Sequence, residues 1–285
     1  MPTRRRPDEA FAAMTAFLAR REHRARVGST NDVVRDWLAA GTPEVCLLVA
    51  DEQTAGRGRD GRVWVAPPDV ALLVSLGFRP SWLPPAQIWR LAAVASVAMA
   101  EAAETAAGLL AGTVRLKWPN DLVIASRDES GPGGVRKIGG VLGETTGLGT
   151  ADPRAVIGLG VNADWTAADF PKDIAATMTS LRELAGRRIE RDDLLAVFEV
   201  YVEPPVAALR TGRFDGAAWA ARQVTTGRQV RLETAQGIET VRATGVDSLT
   251  GALIVTDAAT TTGDRHVLVG EVTHVRLTAP TAARV

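Results

Sequence analysis

The sequence predicts an α+β protein: a mixed or antiparallel sheet with flanking helices, followed by a small separate β-barrel. Three observations carry this. β-rich segments at 46–50, 70–78, 114–124, 138–145 and 155–161 are set apart by turn residues. One long run, 86–107, is dense in alanine and has helical character throughout. Beyond about Gln223 the helical text stops, and short strands at 230–233, 239–246, 252–257 and 266–277 alternate with Gly, Asp and Thr.

In chain order, residues 1–28 read as an arginine-rich helical arm, with Phe11, Met14, Phe17 and Leu18 at helical spacing. Ser29-Thr30-Asn31-Asp32 has the form of a capping box. Val33, Val34, Trp37 and Leu38 then give a helical stripe that Gly41 stops. After the strand at 46–50, residues 51–62 are polar and glycine-rich and read as a long loop. Residues 70–78 form a buried strand, Pro84-Pro85 punctuates, and the helix 86–107 follows. The three β segments after it form a meander, with 126–135 as the exposed turn between the first two. Helical text resumes at Asp192 and is expected to break or kink at Pro204-Pro205. The expected organisation is an N-terminal arm (1–28), a central α+β domain (29–222) and an SH3-like barrel (223–285).

Composition narrows the function classes. The chain has 285 residues, 46% of them hydrophobic, with 33 basic and 33 acidic residues, so a surface built to neutralise nucleic acid is not expected. The longest apolar stretches, 70–78 and 91–100, are too short to span a membrane. Asp8 and Glu9 interrupt the only stretch resembling a secretory signal, so a cytoplasmic protein is expected. Cys46 is the only cysteine, which excludes an intramolecular disulfide and a cysteine metal cluster; in its apolar run it reads as a buried, inert thiol. Lysine occurs only at 117, 137 and 172, and asparagine only at 31, 120 and 162. In a chain that otherwise uses arginine, a retained lysine marks a place where a compact ammonium is needed.

Four segments carry the chemistry. Gly56-Arg57-Gly58-Arg59-Asp60-Gly61-Arg62 spells the dinucleotide fingerprint, but Val63-Trp64-Val65-Ala66-Pro67-Pro68 opens no helix. No acidic residue lies between Asp69 and Glu101, so the match is a coincidence. What remains is a run of three arginines in glycine-freed backbone, suited to wrapping a small anion; a solvated basic loop is the bland alternative. No lysine follows a glycine in P-loop form. Lys117-Trp118-Pro119-Asn120-Asp121 joins a basic residue, an aromatic and an amide–acid pair at a turn. Lys137-Ile138-Gly139-Gly140 and Gly158-Leu159-Gly160-Val161-Asn162 are strands whose glycines leave room for a ligand against the backbone. Together they converge on an anionic ligand between apolar walls.

In order and approximate spacing, the stretch from Ser29 to about Leu277 resembles the catalytic domain of biotin–protein ligases. Ser29-Thr30-Asn31 matches that family's Ser-Thr-Asn, residues 56–64 its G-R-G-R-x-G-R-x-W loop, 117–121 its K-W-P-N-D, and 137–144 its K-x-x-G-x-L-x-E. The resemblance implies a class II synthetase-like fold and an ATP-dependent, AMP-forming ligase. Such an enzyme makes biotinyl-5′-AMP and passes biotin to a lysine of a biotin carboxyl carrier domain, with no nucleic acid or membrane partner. It implies that Ser29, Thr30, Asn31, Gln53, Gly56, Arg57, Gly58, Arg59, Lys137, Gly139, Gly140 and Gly158 line the biotin and adenylate site. Arg62, Trp64, Lys117, Asn120, Asp121 and Asn162 would serve the nucleotide. Arg57, Arg59 and Lys137 would offset the charge of the reacting anions, with Asp121 near Mg²⁺.

Two departures stand out. Pro67-Pro68-Asp69-Val70-Ala71 replaces the family's glycine-containing turn after the loop tryptophan. Only 28 residues precede Ser29, too few for the winged-helix domain of the repressor members, so an enzyme alone is expected. The alternatives weighed are a lipoate–protein ligase, whose motifs differ, and a biotin-sensing protein without turnover. The arginine loop has no apolar anchors, so its ordering is expected to depend on ligand.

Overall fold

The computed structural model describes residues 17–125, 134–235, 237–257, 263–269 and 274–277. The exposed turn expected at 126–135 and the N-terminal half of the expected arm lie almost wholly outside these residues. Among them, seven strands form one mixed sheet: β1 (Arg20–Val27), β2 (Cys46–Gln53), β3 (Ala71–Phe78), β4 (Val114–Lys117), β5 (Asp121–Ala125), β6 (Val135–Thr146) and β7 (Arg154–Asn162). Their spatial order is β1-β2-β3-β7-β6-β5-β4, with β1 and β2 parallel and all other pairs antiparallel.

The strand at Arg20–Val27 corrects the helical reading of that part of the arm. Its residues alternate between half-buried Arg20, Glu22 and Arg24 and exposed Arg21, His23 and Ala25, a period of two that belongs to a strand. The charges hide the pattern because arginine stems can cover apolar surface while their heads pair. The Arg20 guanidinium carbon lies 3.7 Å from the Trp37 ring centroid, and Glu22 accepts from both Arg20 and Arg24. On the other face Arg21 bonds the buried Glu199.

Helix α1 (Thr30–Ala39) connects the parallel pair and buries Val34, Trp37 and Leu38; Gly41, just beyond it, takes φ +91°. Ser29 occupies the N-cap, but its side chain makes no capping bond; the Thr30 N–H donates to Gln53 instead. Helix α2 (Trp89–Ala107) covers the opposite face of the sheet. Its alanines are buried nearly all round because it is sandwiched between the strands and helix α4 (Arg191–Arg210), and Gly108 ends it at φ +67°. A five-residue helix, α3 (Leu181–Ala185), precedes α4. The expected break at Pro204-Pro205 does not occur: α4 runs through it, with Val202, Val206 and Leu209 buried on one stripe and Pro204 on the exposed side. Packing of that stripe outweighs the backbone bonds the two prolines cannot donate.

After helix α5 (Gly216–Ala221) come β8 (Gln229–Thr234), β9 (Gly237–Val246), β10 (Leu253–Asp257), β11 (Arg265–Val267) and β12 (His274–Leu277). They pair antiparallel in the order β11-β10-β9-β8-β12, the small C-terminal sheet expected from the sequence. Its apolar face continues the main core instead of standing apart from it. Trp118 Nε1 donates to the Gly251 carbonyl, and Trp89 packs within 5.1 Å of Trp219. Among the described residues no helix is long and apolar enough to cross a membrane.

Candidate active site

The segments singled out above meet at one open cleft of about 900 Å³, mouth included, on the α1 side of the sheet. Its floor is the paired strands β6 and β7. Gly140 and Leu142 face it from β6, Gly158 and Gly160 from β7, as alternate residues of a strand must. Lys137 also faces it, although it lies three residues from Gly140. A register shift between β5 and β6 sets Val123 opposite Lys137 and Leu122 opposite Gly139, so Ile138 is the extra residue of a β-bulge. Ile138 is fully buried on the core side, and the bulge turns Lys137 into the cleft.

The glycines on this floor are there for space. A Cβ on Gly160 would lie 2.7 Å from Cε2 of Trp64, and one on Gly158 would lie 2.9 Å from Cγ of Asn31 and closer still to its Oδ1. Trp64 therefore rests on the backbone of β7, with the Lys137 Nζ 5.6 Å from its ring centroid.

The Lys117 to Asp121 segment is a hairpin tip between β4 and β5. Trp118 turns inward and anchors it to the C-terminal sheet, which leaves Lys117, Pro119, Asn120 and Asp121 on the cleft. Asn120 Nδ2 donates to the Val141 carbonyl at 2.9 Å. Asp121 accepts from Lys117 at 3.0 Å through one oxygen and from Lys137 through the other. Burial works to raise the Asp121 carboxyl, but the two ammonium groups outweigh it and hold it well below the usual carboxylate range. A lowered carboxyl stays ionised below its ordinary value, so Asp121 keeps its charge from neutral pH down into the acid range.

The arginine loop closes the cleft from above. It is a small hairpin of its own: Arg57 bridges Val63, the Gly58 N–H donates to the Arg62 carbonyl, and the Trp64 N–H donates to the Gly56 carbonyl. Asp60, at φ +55°, and Gly61, at φ +74°, make its tip. Arg57 forms a two-pronged bond to Asp32 of α1, 2.7 Å on each arm, and reaches Glu144 of β6 at 3.1 Å. These bonds push the Arg57 guanidinium further above its ordinary value, the Asp32 bond most of all, and hold the Asp32 carboxyl down. Arg59 donates to the Val269 carbonyl, two residues beyond β11, at 3.1 Å, and burial makes it less basic than usual. The loop thus has polar anchors of its own, the Arg57 ion pairs and the Arg59 bond to a carbonyl, in place of apolar ones.

Beneath the loop a polar chain runs into the core. Gln53 Oε1 accepts from the Thr30 N–H and hydroxyl at 2.7 and 3.0 Å. Ser75 Oγ lies 2.7 Å from both Thr30 Oγ1 and Asn31 Oδ1, and Asn31 Nδ2 donates to Glu144 at 2.8 Å. A buried chain of this kind holds its members in one arrangement, because each lost bond strands a partner.

Of the residues expected from the sequence, Ser29, Thr30, Asn31, Gln53, Arg57, Gly58, Arg59 and Lys137 line this cleft. So do Gly140, Gly158, Arg62, Trp64, Lys117, Asn120 and Asp121. Three are placed elsewhere. Gly56 is pressed against the Trp64 carbonyl, where a Cβ would collide, and serves the loop's own turn. Gly139 faces the Gly160 carbonyl at 2.7 Å from its would-be Cβ, so it serves strand packing. Asn162 is buried beyond the end of the floor and donates to the Thr179 carbonyl at 3.1 Å. Gly160, read from the sequence as leaving room against the backbone, also lines the cleft; Pro119 and Leu142 and the supporting carboxylates Asp32 and Glu144 were not named for the site. The last two stand inside quoted motifs, so their letters were visible but their partner was not.

The cleft is lined by five cations, Arg57, Arg59, Arg62, Lys117 and Lys137, against the single carboxylate of Asp121. A surplus of fixed cations over a glycine floor stabilises converging anions in a partly dry site. Among the described residues no three His, Cys, Asp or Glu side chains group as metal ligands. A lone carboxylate does fit a magnesium ion held mainly by phosphate oxygens and water. Cys46 lies against the Gly77 carbonyl in the core, and burial pushes its thiol up to about 11, so it offers no nucleophile.

Comparison with known proteins places the chain among relatives of one family and fold. The model of the biotin/lipoate A/B protein ligase family matches residues 24–162. The biotin–[acetyl-CoA-carboxylase] ligase of Paracoccus denitrificans is 31% identical over 236 residues, covering 81% of this chain and 92% of that one. The bifunctional ligase/repressor BirA of Bacillus subtilis is 30% identical over 223 residues, 78% of this chain but 65% of its own length, so the chain spans less than two thirds of that relative. The solved structure of the Aquifex aeolicus biotin protein ligase in complex with biotin and ATP superposes with a TM-score of 0.72 at 24% identity, over 91% of this chain and 99% of that one. The chain belongs to the biotin/lipoate A/B protein ligase family.

Proposed function

We propose that this protein is an ATP-dependent biotin–protein ligase. The observation that carries this reading is the meeting of the arginine loop, the Lys117 to Asp121 tip and Lys137 over one glycine floor. A site with a cationic surplus is suited to joining two anions.

Biotin binds with its carboxylate among the loop arginines and Lys137, and ATP enters beside the Lys117 to Asp121 tip; Asp121 would be the residue to meet a magnesium ion carried by the nucleotide, which would supply further neutralisation of the phosphates. The biotin carboxylate oxygen attacks the α-phosphorus, the bond to the bridging oxygen breaks, and pyrophosphate leaves. Lys117 and Lys137, held apart by Asp121, lower the repulsion between the two anions; the offset charge of Arg57 leaves more of this work to Arg59 and Arg62. The mixed anhydride then waits beneath the loop, shielded from water. A carrier-domain lysine attacks its carbonyl, an amide forms and AMP departs. ATP and a carrier domain as substrates place this work in the cytoplasm. The C-terminal unit beyond about residue 223 contributes Val275 to the cleft wall and the Val269 carbonyl as a support for Arg59.

Pyrophosphate release on mixing the protein with Mg·ATP and either biotin or lipoate tests the reading. Release with biotin and none with lipoate is expected. Release with lipoate alone moves the chain to the other branch of its family, and release with neither makes it a binding protein.

A further inference from the structure

We propose that Asp32 and Glu144 are positioning residues that act through Arg57, forming a two-carboxylate clasp that fixes the arginine loop over the cleft. The inference deepens the proposed ligase reading, but its geometry stands apart from any activity. Arg57 sits at the near end of the loop and is tied to two elements at once: to Asp32 in the first turn of α1 and to Glu144 on β6. A guanidinium has five N–H donors in one plane. The Asp32 fork occupies one on each terminal nitrogen, and Glu144 takes the second on Nη2. The plane of the guanidinium is then set by protein, and two donors remain for a ligand. Neither carboxylate lines the cleft, so neither is a binding residue.

Glu144 is itself fixed from below, because Asn31 Nδ2 donates to it and Asn31 is only 3% exposed. The clasp is therefore the outer end of the buried chain through Ser75 and Thr30. A change at the loop is coupled to the floor of the biotin side through a continuous set of bonds. The clasp also explains why the third residue after Ser29 is acidic. Asp32 offers Arg57 both oxygens, one of which also pairs with Arg35 one turn along α1 at 2.6 Å. The three charged side chains are each about one third exposed, so salt reaches them and weakens the clasp.

Limited trypsin digestion of the intact chain with neither biotin nor ATP reads the clasp directly, with cut sites mapped by mass spectrometry. In the wild type, cleavage after Arg59 and Arg62 is expected to be slow and to quicken with added NaCl. Asp32→Asn and Glu144→Gln, made separately, are expected to speed those two cuts by about tenfold and to reduce the salt dependence, since each leaves one carboxylate on Arg57. Asp32→Glu restores most of the protection. In the ligase reaction the same two variants raise the biotin KM more than they lower kcat, because a loosened loop weakens holding before it weakens chemistry. Wild-type cleavage rates after Arg59 and Arg62 in both variants overturn the clasp. So does cleavage spread across the chain in both, since the carboxylates would then support the core and not the loop. A wild type that releases no pyrophosphate leaves the digestion result standing and defeats only the ligase reading.

Discussion

Gly158→Ala and Gly160→Ala, two alternate residues on one strand, are expected to fail for different reasons. At Gly158 the new Cβ lands on the Asn31 amide, with Cγ 2.9 Å away, and Asn31 is 3% exposed and bonded to Ser75 and Glu144. The amide has to move by about an ångström, which breaks two buried bonds worth about 1–2 kcal/mol each once their partners are stranded. The gain from replacing a strand glycine, about 0.5–1 kcal/mol, offsets part of that. The net loss is about 2–3 kcal/mol, or roughly 5–10 °C in melting temperature for a chain of this size. At Gly160 the Cβ meets the Trp64 ring, which belongs to the edge of the loop and can slide outward. Stability should fall by less than about 1 kcal/mol, while adenylate synthesis falls by about tenfold or more as the ring leaves its seat. Gly143→Ala is the control, since its Cβ would meet Ile157 at an ordinary 3.5 Å. Thermal melts beside single-turnover synthesis separate the two effects. A Gly158→Ala melt within 2 °C of wild type, or equal stability losses at 158 and 160, refutes the reasoning.

Three further outcomes follow from the site. Lys137→Arg is expected to lose most of its activity despite keeping the charge, because the compact ammonium sits in the space the bare Gly140 leaves and pairs with Asp121 there, a fit a planar guanidinium does not reproduce; near-wild-type turnover contradicts this. Arg59→Gly removes the bond to the Val269 carbonyl and a forked donor, so it is expected to release adenylate and label bystander lysines of albumin above the wild-type level. Burial holds the Cys46 thiol protonated up to about pH 11, so a thiol reagent at pH 8 should not label the native protein and should label one thiol after denaturation; rapid native labelling would contradict the packing around Gly77.

Much of the site was legible because its chemistry sits in unbroken runs of residues: an arginine loop, a hairpin tip and two glycine strands. The side each residue faces was less legible. Gly139 and Gly140 are adjacent and look equivalent in sequence, yet only Gly140 faces the cleft, and Lys137 joins it through a bulge that no local pattern announces. Asn162 has the right letter at the end of the right strand, but β7 buries it against the Thr179 carbonyl. In the fold, β1 was hidden because the residues that alternate are charged. They pair laterally and lie over Trp37, so period two is carried by arginines and a glutamate instead of valines. Pro204-Pro205 misled for the opposite reason: a strong local signal gave way to a buried stripe on the far side of the same helix. The carboxylates of the clasp were invisible because pairing Asp32 with Arg57 and Glu144 requires three elements to meet in space.

The central claim is that this cleft activates biotin as an adenylate and hands it on. The most direct measurement is a single turnover in which excess protein meets α-labelled Mg·ATP and biotin and is then given a carrier domain. The account predicts that label accumulates as protein-held biotinyl-5′-AMP and is released as AMP when the carrier lysine becomes biotinylated. Label that stays in ATP, or an adenylate that forms and is never consumed by the carrier, would contradict it.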